Sequence, residues 1–363
     1  SVVVRYGDTM VLVAATGSAK PRESVDFLPL TCDYLEKTSA AGKIPGGYFK
    51  REGRPTEVEI LTSRLIDRPC RPLFPKGWRF DTQVIALVLS VDRENPSDVL
   101  ALTGASAALH LSDMPWSGPI AGVRVGRVGG ELIINPTFAQ QEASELNLVV
   151  ACSRDAIVMV EGGLREVSES VIIDALFFAH REAQVLIDLQ ERIRAAVGKA
   201  KRSFAPVAKD EAIALMVAEL GHARVKSAMA IAVKQDRYAA LGAVRDDLLI
   251  GLCAQGASFH GREKEVDGAY EDLKKRFARK QTLETGLRID GRRTFDIRPI
   301  TCEVAVLPRT HGSSLFTRGE TQAIVSATLG TAQDVQRIDS LTGDVTKRFM
   351  LHYNFPPFST GET

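Results

Sequence analysis

Two stretches of this chain share one pattern of apolar and polar positions. Ser1 to Thr16 reads S-V-V-V-R-Y-G-D-T-M-V-L-V-A-A-T, and Ser313 to Thr328 reads S-S-L-F-T-R-G-E-T-Q-A-I-V-S-A-T, with Gly-acid-Thr at the same offset. Each predicts an apolar strand, a turn at Gly7 or Gly319, and a second strand over Met10 to Ala15 or Gln322 to Ala327, hence a β-hairpin. Turn-anchored hairpins are common, so two unrelated ones could match by accident. The repeat resumes, however, where Asp26-Phe27-Leu28-Pro29-Leu30 parallels Arg348-Phe349-Met350-Leu351-His352, each predicting a third strand. The chain is therefore expected to carry one fold twice.

Between the copies the periodicity changes. A β-branched run at Val84 to Val91 gives way, after Asn95-Pro96-Ser97, to helical spacing over Asp98 to Leu111. Ile120 to Val128, Glu131 to Asn135, Leu146 to Ala151 and Ala156 to Glu161 alternate or run apolar between Gly, Asn and Ser, which predicts further strands. A long helix is expected from a cap at Ser168 to Arg194, with Val171, Ile172, Ala175, Leu176, Ala179, Val185, Leu186, Leu189 and Ile193 at helical spacing. Lys199 to Pro206 is polar, basic and closed by proline, the composition of a linker. From Ala208 to about Glu284 strand signals nearly vanish and an all-helical domain is predicted. Strand and turn sequence restarts at Leu287 to Arg292. The fold class is α+β, with mixed sheets packed on helices, and the expected domains are 1–203, 204–285 and 286–363.

Composition narrows the class. At 363 residues the chain exceeds one ordinary hydrophobic core, and 45% hydrophobic with 25% charged residues is that of a globular protein. No apolar run approaches the roughly 20 residues that span a bilayer, so no membrane partner is expected. Ser1 opens directly on strand-like sequence, so no signal peptide is expected and the natural start is expected to lie upstream. Cys32, Cys70, Cys152, Cys253 and Cys302 are widely spaced and form no C-x-x-C pair, which points to reduced thiols and a cytoplasmic location. The six histidines are scattered too, and no metal ligation is expected from them. With a net charge of +1, any nucleic-acid partner must be held by a local patch.

Four segments carry a resemblance. They are R-I-D-G-R at Arg288 to Arg292, P-R-T-H-G-S-S-L-F-T-R-G-E-T-Q at Pro308 to Gln322, H-Y-N-F-P-P-F-S at His352 to Ser359, and G-K-I-P-G-G-Y-F-K-R-E-G-R-P-T-E at Gly42 to Glu57. In that content and order the chain resembles the bacterial polynucleotide phosphorylase family, with a first RNase PH-like core, an all-helical domain and the start of a second core. The resemblance implies a 3′-to-5′ exoribonuclease that uses inorganic phosphate to release nucleoside diphosphates, and the reverse polymerisation. It also implies Mg²⁺ dependence, a homotrimeric ring with a channel for single-stranded RNA, a role in mRNA degradation and association with RNA-degradation machinery.

The residues of the first-copy loop agree. Between Gly42 and Phe80, Lys43, Lys50, Arg51, Arg54, Arg64, Arg68, Arg71, Lys76 and Arg79 outnumber Glu52, Glu57, Glu59 and Asp67, nine to four. Tyr48 and Phe49 adjoin the cations Lys50, Arg51 and Arg54 and are flanked by Gly46, Gly47 and Gly53. Stacking a base on such a ring is worth roughly 1–3 kcal/mol and is indifferent to sequence. The family's RNA grip carries over to Tyr48, Phe49, Lys50, Arg51 and Arg54, with Tyr48 and Lys50 standing for the usual Phe and Arg. The competing reading of the residues alone is a solvated charged turn with two core aromatics. Arg64, Arg68 and Arg71 share a helical face, for phosphate contact or for salt bridges to residues such as Asp67.

The first copy reads as degenerate. The family's active core cradles phosphate in a serine-rich turn; here Asn95-Pro96-Ser97-Asp98-Val99 offers one serine beside a carboxylate that would repel an anion and cap the helix instead. Thr103-Gly104-Ala105-Ser106 anchors that alignment. Ahead of Val150-Ala151-Cys152-Ser153-Arg154-Asp155, the resemblance puts Asn147 and Gln141 where two metal-binding carboxylates belong and Val149 where a lysine belongs. Glu142 and Glu145 are near but out of register, and neutral amides are poor ligands for Mg²⁺. No catalytic or metal-binding residue is expected within this chain, since those of the second core would lie beyond Thr363, and this polypeptide alone is expected to be inactive. Ser313, Ser314 and Arg318 are read as turn and strand residues. Two alternatives compete: a non-catalytic, exosome-type RNA-binding ring subunit, and a scaffolding module whose loop binds protein. The helical domain argues against the first.

Overall fold

A computed structural model describes residues 1–22, 25–46, 48–205 and 208–362. Gly47 of the loop and Pro206 at the end of the expected linker lie outside the described residues. The chain divides into one unit of residues 1–206 with 334–363, and another of residues 207–333.

In the first unit, β1 (Val2–Tyr6) and β2 (Thr9–Pro21) form the expected hairpin, with Tyr6 opposite Thr9 and Gly7 in the left-handed region at φ 60°. The repeated Gly-acid-Thr has a local cause here. Asp92 accepts the Asp8 amide at 3.0 Å and the Thr9 hydroxyl at 3.0 Å, tying the hairpin turn to the turn that precedes the next helix. Burial alone would raise the Asp92 carboxyl; the amide and side chain of Asn95, the Glu94 amide and the Thr9 hydroxyl outweigh it and hold the group well below the usual carboxylate range.

The next strand, β3 (Leu30–Glu36), is followed by helix α1 (Glu57–Cys70) and β4 (Phe80–Ser90), giving a sheet of order β1-β2-β4-β3 in which only the β3–β4 pair is parallel. α1 supplies the crossover that a parallel pair requires. The expected third strand at 26–30 is thus displaced: Pro29 has no amide to donate, its carbonyl accepts the Thr82 amide at 2.9 Å, and pairing begins only at Leu30. Its counterpart at 348–352 is not a strand either. Among the described residues nothing runs beside that segment to complete a ladder, and Phe349 and Leu351 are exposed.

Helix α2 (Asp98–Leu111) follows as predicted and is buried on all sides, between the first sheet and a second one. That second sheet contains β5 (Ala121–Val128), β6 (Glu131–Ile134), β7 (Leu146–Cys152) and β8 (Ile157–Leu164), antiparallel in the order β6-β5-β7-β8, with the short helix α3 (Phe138–Ala143) between β6 and β7. A helix made largely of Ala, Gly, Ser, Thr and Leu can touch sheets on two faces because its side chains are small. At Gly104 an added Cβ would fall 2.7 Å from a Val13 methyl. The Thr103 hydroxyl bonds the β5 backbone at Gly122, and the Ser106 hydroxyl accepts the amide of Ile120 just before β5, so the Thr-Gly-Ala-Ser step cements helix to sheet.

Helix α4 (Glu169–Val197) covers the other face of the second sheet with Ala175, Ala179, Ala183 and Ile187. Val185, Leu189 and Ile193, which share its helical spacing, face outward. Ser168 occupies the cap position, but its hydroxyl meets that of Ser170 at 3.0 Å instead of a helix amide. The segment expected to be a linker is strapped to the core: Arg202 pairs with Asp113 at 2.9 Å, Lys201 bonds the Leu109 carbonyl at 3.0 Å, and Phe204 packs edge-on against buried Trp78.

The second unit opens on α5 (Glu211–Met229), α6 (Lys234–Cys253) and α7 (Glu263–Thr285), packed through Ile213, Val217, Leu241, Leu248, Tyr270 and Leu273. An isolated bridge joins Leu287 to Arg293, and β9 (Ile300–Val304), β10 (Gly312–Arg318) and β11 (Thr321–Ala327) form a sheet of order β11-β10-β9. The β10–β11 turn repeats that of β1–β2, with Arg318 opposite Thr321 and Gly319 at φ 62°. The chain then returns to the first unit as a hairpin of β12 (Gln336–Ser340) and β13 (Gly343–Lys347), whose turn residue Leu341 is 6% exposed among the first unit's core residues. All five cysteines are unpaired; Cys70, Cys152 and Cys253 are buried, burial pushes the Cys152 thiol up to about 12, and Cys302 is exposed. Among the described residues no helix is long and apolar enough to cross a membrane.

Candidate nucleic-acid interface

The Gly42–Glu57 loop joins a short 3-10 turn over Thr38–Ala41 to helix α1. Its exit is fixed by a capping box: the Glu59 amide donates to the Thr56 hydroxyl at 3.2 Å, and the Thr56 amide to the Glu59 carboxylate at 2.6 Å. The second oxygen of Glu59 accepts the Glu36 amide at 2.8 Å, tying the helix start to the end of β3. Inside the loop Glu52 turns inward and accepts Lys37 Nζ at 2.6 Å and the Thr38 amide at 3.0 Å; these bonds to Lys37 and Thr38 outweigh burial and lower its pKa.

Between those anchors the side chains point to solvent. Tyr48 is 93% and Phe49 87% exposed, so neither is a core aromatic and the competing reading of the loop loses half its content. Their rings meet edge to face, with centroids 5.3 Å apart and planes at 86°. Lys50 sits in the left-handed region at φ 48°, which bends the chain between Phe49 and Arg51. Lys50, Arg51 and Arg54 are exposed and carry no ion pair among the described residues. Leaving large rings in water forgoes the burial that would stabilise a core. Two adjacent exposed rings flanked by three uncommitted cations form a surface that can stack bases and neutralise phosphates.

The rest of the basic segment divides. Arg71 forms a two-pronged pair with Asp67, at 2.9 and 2.7 Å, and also bonds the Leu28 and Leu30 carbonyls, so its role is structural, as the salt-bridge alternative held. Arg68 pairs with Glu161 on β8. Arg64 stays exposed on the same helix. Lys43, counted with the cations from sequence, is committed to Asp339 at 2.9 Å.

The residues that the resemblance sets at the phosphate and metal positions of this core bond to other groups of the protein. Ser97, the one serine of the turn, has its hydroxyl 2.7 Å from that of Tyr34. Asp98 is the first residue of α2 and not its cap; one carboxylate oxygen accepts the Val99 amide at 2.7 Å and the other pairs with Arg124. The same guanidinium donates to the side-chain oxygen of Asn147, while Gln141 bonds the Pro136 carbonyl and Val149 is buried. Glu145 is paired with Arg127 at 2.7 Å. Among the described residues no three or more His, Cys, Asp or Glu side chains come together as a possible metal site. A guanidinium held between Asp98 and Asn147 already neutralises the one carboxylate there and occupies the amide oxygen, so these residues do not fit Mg²⁺. Arg124 escaped notice in the sequence, although an arginine in the centre of the apolar strand at 120–128 was the available signal, because a buried charge needs partners.

A hairpin used twice, a core of two sheets around one buried helix and an inserted three-helix bundle define an RNase PH-like chain. The chain belongs to the 3′ exoribonuclease family: the model of that family's domain 1 matches residues 1–115 and 296–363, and that of its domain 2 matches residues 118–182. Residues 212–293 match the model described as polyribonucleotide nucleotidyltransferase, RNA binding domain. Among curated proteins the chain is similar to polyribonucleotide nucleotidyltransferases of Anaeromyxobacter sp. (strain K), at 57% identity over 370 residues and 51% of that protein's length, and of Sorangium cellulosum (strain So ce56), at 56% over 369 residues and 48% of its length. The relative from Geobacter sulfurreducens is 52% identical over 363 residues, 52% of its length. In each case all of this chain is aligned, so it spans about half the length of the curated relatives it matches.

Proposed function

We propose that this chain is the RNA-gripping half of a phosphate-dependent 3′-to-5′ exoribonuclease, a polyribonucleotide nucleotidyltransferase that releases nucleoside diphosphates from RNA and runs in reverse as a polymerase. The observation that carries the reading is the exposed Tyr48–Phe49 pair beside Lys50, Arg51 and Arg54. The rings supply stacking faces and the cations neutralise phosphates, both indifferent to base sequence, as stepwise removal of every nucleotide demands. The Asp98–Arg124–Asn147 bridge supports reading this core as the non-catalytic partner. Phosphate activation and the Mg²⁺ dependence implied by the family belong to the second core, and no step is derived for them from this chain's residues.

In this reading residues 1–203 form a first core that binds RNA, 204–285 the helical domain and 286–363 the opening of the second core. The assembly is a homotrimeric ring in the cytoplasm that degrades mRNA with other RNA-degradation proteins. The match of residues 212–293 to the RNA binding domain of polyribonucleotide nucleotidyltransferase favours this over a one-core ring subunit.

Salt dependence of poly(A) binding tests it. Three phosphate contacts give a log–log slope of about −2, at roughly −0.7 per phosphate on a single strand. A loop that docks on protein instead would leave poly(A) binding weak and nearly flat with salt, and that outcome would remove the RNA reading.

A further inference from the structure

The loop's two ends are held by a segment almost 300 positions away. Lys43, at the entrance, donates to the Asp339 carboxylate at 2.9 Å and to the Ser340 carbonyl at 2.9 Å, a sequence separation of 296 and 297. Glu57, at the exit, accepts Lys347 Nζ at 2.9 and 3.2 Å. Asp339 and Ser340 close β12, Lys347 closes β13, and both strands belong to the second copy of the repeat. Leu341, at the hairpin tip, anchors the whole element in the first core. Ser340 fixes the tip, its hydroxyl donating to the Gly343 carbonyl at 2.6 Å.

We propose that the β12–β13 hairpin is a brace that sets the shape of the RNA grip, with Lys43, Asp339, Glu57 and Lys347 as positioning residues. The proposal rests on the RNA-grip reading of the loop. A glycine-containing loop that displays two large rings to water has many conformations, and ordering it on RNA would subtract from affinity. Fixing entrance and exit removes part of that cost before RNA arrives. Both pairs are half exposed, so neither holds the fold together and each is suited to local positioning.

A charge exchange in the 363-residue chain tests this, read by poly(A) affinity and by tryptic cleavage after Lys50 and Arg51. Asp339→Lys sets two like charges against each other; the brace predicts faster cleavage and RNA binding weaker by roughly three- to ten-fold. A bare charge effect has the opposite sign, since an added cation near the grip tightens RNA binding. Lys43→Glu should weaken binding in the same range, and the double variant Lys43→Glu/Asp339→Lys should recover parental cleavage and affinity to within about two-fold. Parental circular dichroism and melting temperature in the single variants show that they fold. If Lys43 touched phosphate directly, the double variant would stay weak, and the brace would be overturned. Unchanged cleavage in both single variants would overturn it as well. Faster cleavage with unchanged RNA affinity would retain the brace and overturn the RNA-grip reading, so the two failures are distinguishable.

Discussion

Replacing Phe49, Arg51 and Arg54 with alanine together should weaken binding of single-stranded RNA by about ten-fold or more, while melting temperature and circular dichroism barely change. The estimate follows from the parts: one lost stacking face is worth roughly 1–3 kcal/mol, and two lost cations remove two phosphate contacts. The salt slope should flatten by about 1.4 for those two contacts on a single strand. Folding should survive because Phe49 is 87% exposed and neither arginine carries an ion pair among the described residues. Fluorescence anisotropy with labelled poly(A) at two or more salt concentrations reads both effects. Parental affinity in the triple variant would reduce the loop to a solvated charged turn.

Arg124→Leu should strongly destabilise the first core. Arg124 is 8% exposed and bridges Asp98 to Asn147, so truncation strands a carboxylate at the start of α2 with no neutralising partner. Breaking a buried pair from one side costs about 3–5 kcal/mol, on the order of 10 °C in melting temperature for a unit of this size. The positive end of the α2 dipole offsets part of that loss. Adding Asp98→Asn to Arg124→Leu should recover a good part of it, since the stranded charge is gone. Thermal unfolding of the two variants decides: an unchanged melting temperature in Arg124→Leu would show that the bridge does not hold this part of the core together.

Most of the architecture was legible because it rests on local pattern. The helices at 98–111 and 169–197 and the strands of the second sheet follow from apolar spacing and punctuation, and the doubled hairpin from a glycine that must take positive φ. What failed was pairing. Whether 26–30 or 348–352 forms a strand depends on a neighbour that sequence does not name, and Pro29 moved the first of them four positions along the chain. The loop's composition announced a basic, aromatic surface, yet it could not say that Phe49 faces water while Lys43 and Arg71 are committed to carboxylates. Commitments of that kind span long separations, as between Lys43 and Asp339, and no periodicity reports them. Asp98, Gln141, Asn147 and Val149 could be picked out by their positions, whereas the bonds Arg124 makes to Asp98 and Asn147 join residues far apart in sequence, and only the arginine's place in an apolar strand hinted at them.

The central claim is that this core grips RNA without cutting it. Purified residues 1–363, incubated with poly(A), inorganic phosphate and Mg²⁺, should bind the polymer and release no nucleoside diphosphate above background, because Asp98 and Asn147, which the resemblance sets at the phosphate and metal positions, are both bound to Arg124. Release of nucleoside diphosphate in proportion to phosphate concentration, lost on Asp98→Asn or Asn147→Ala, would contradict the account and place chemistry in the first core.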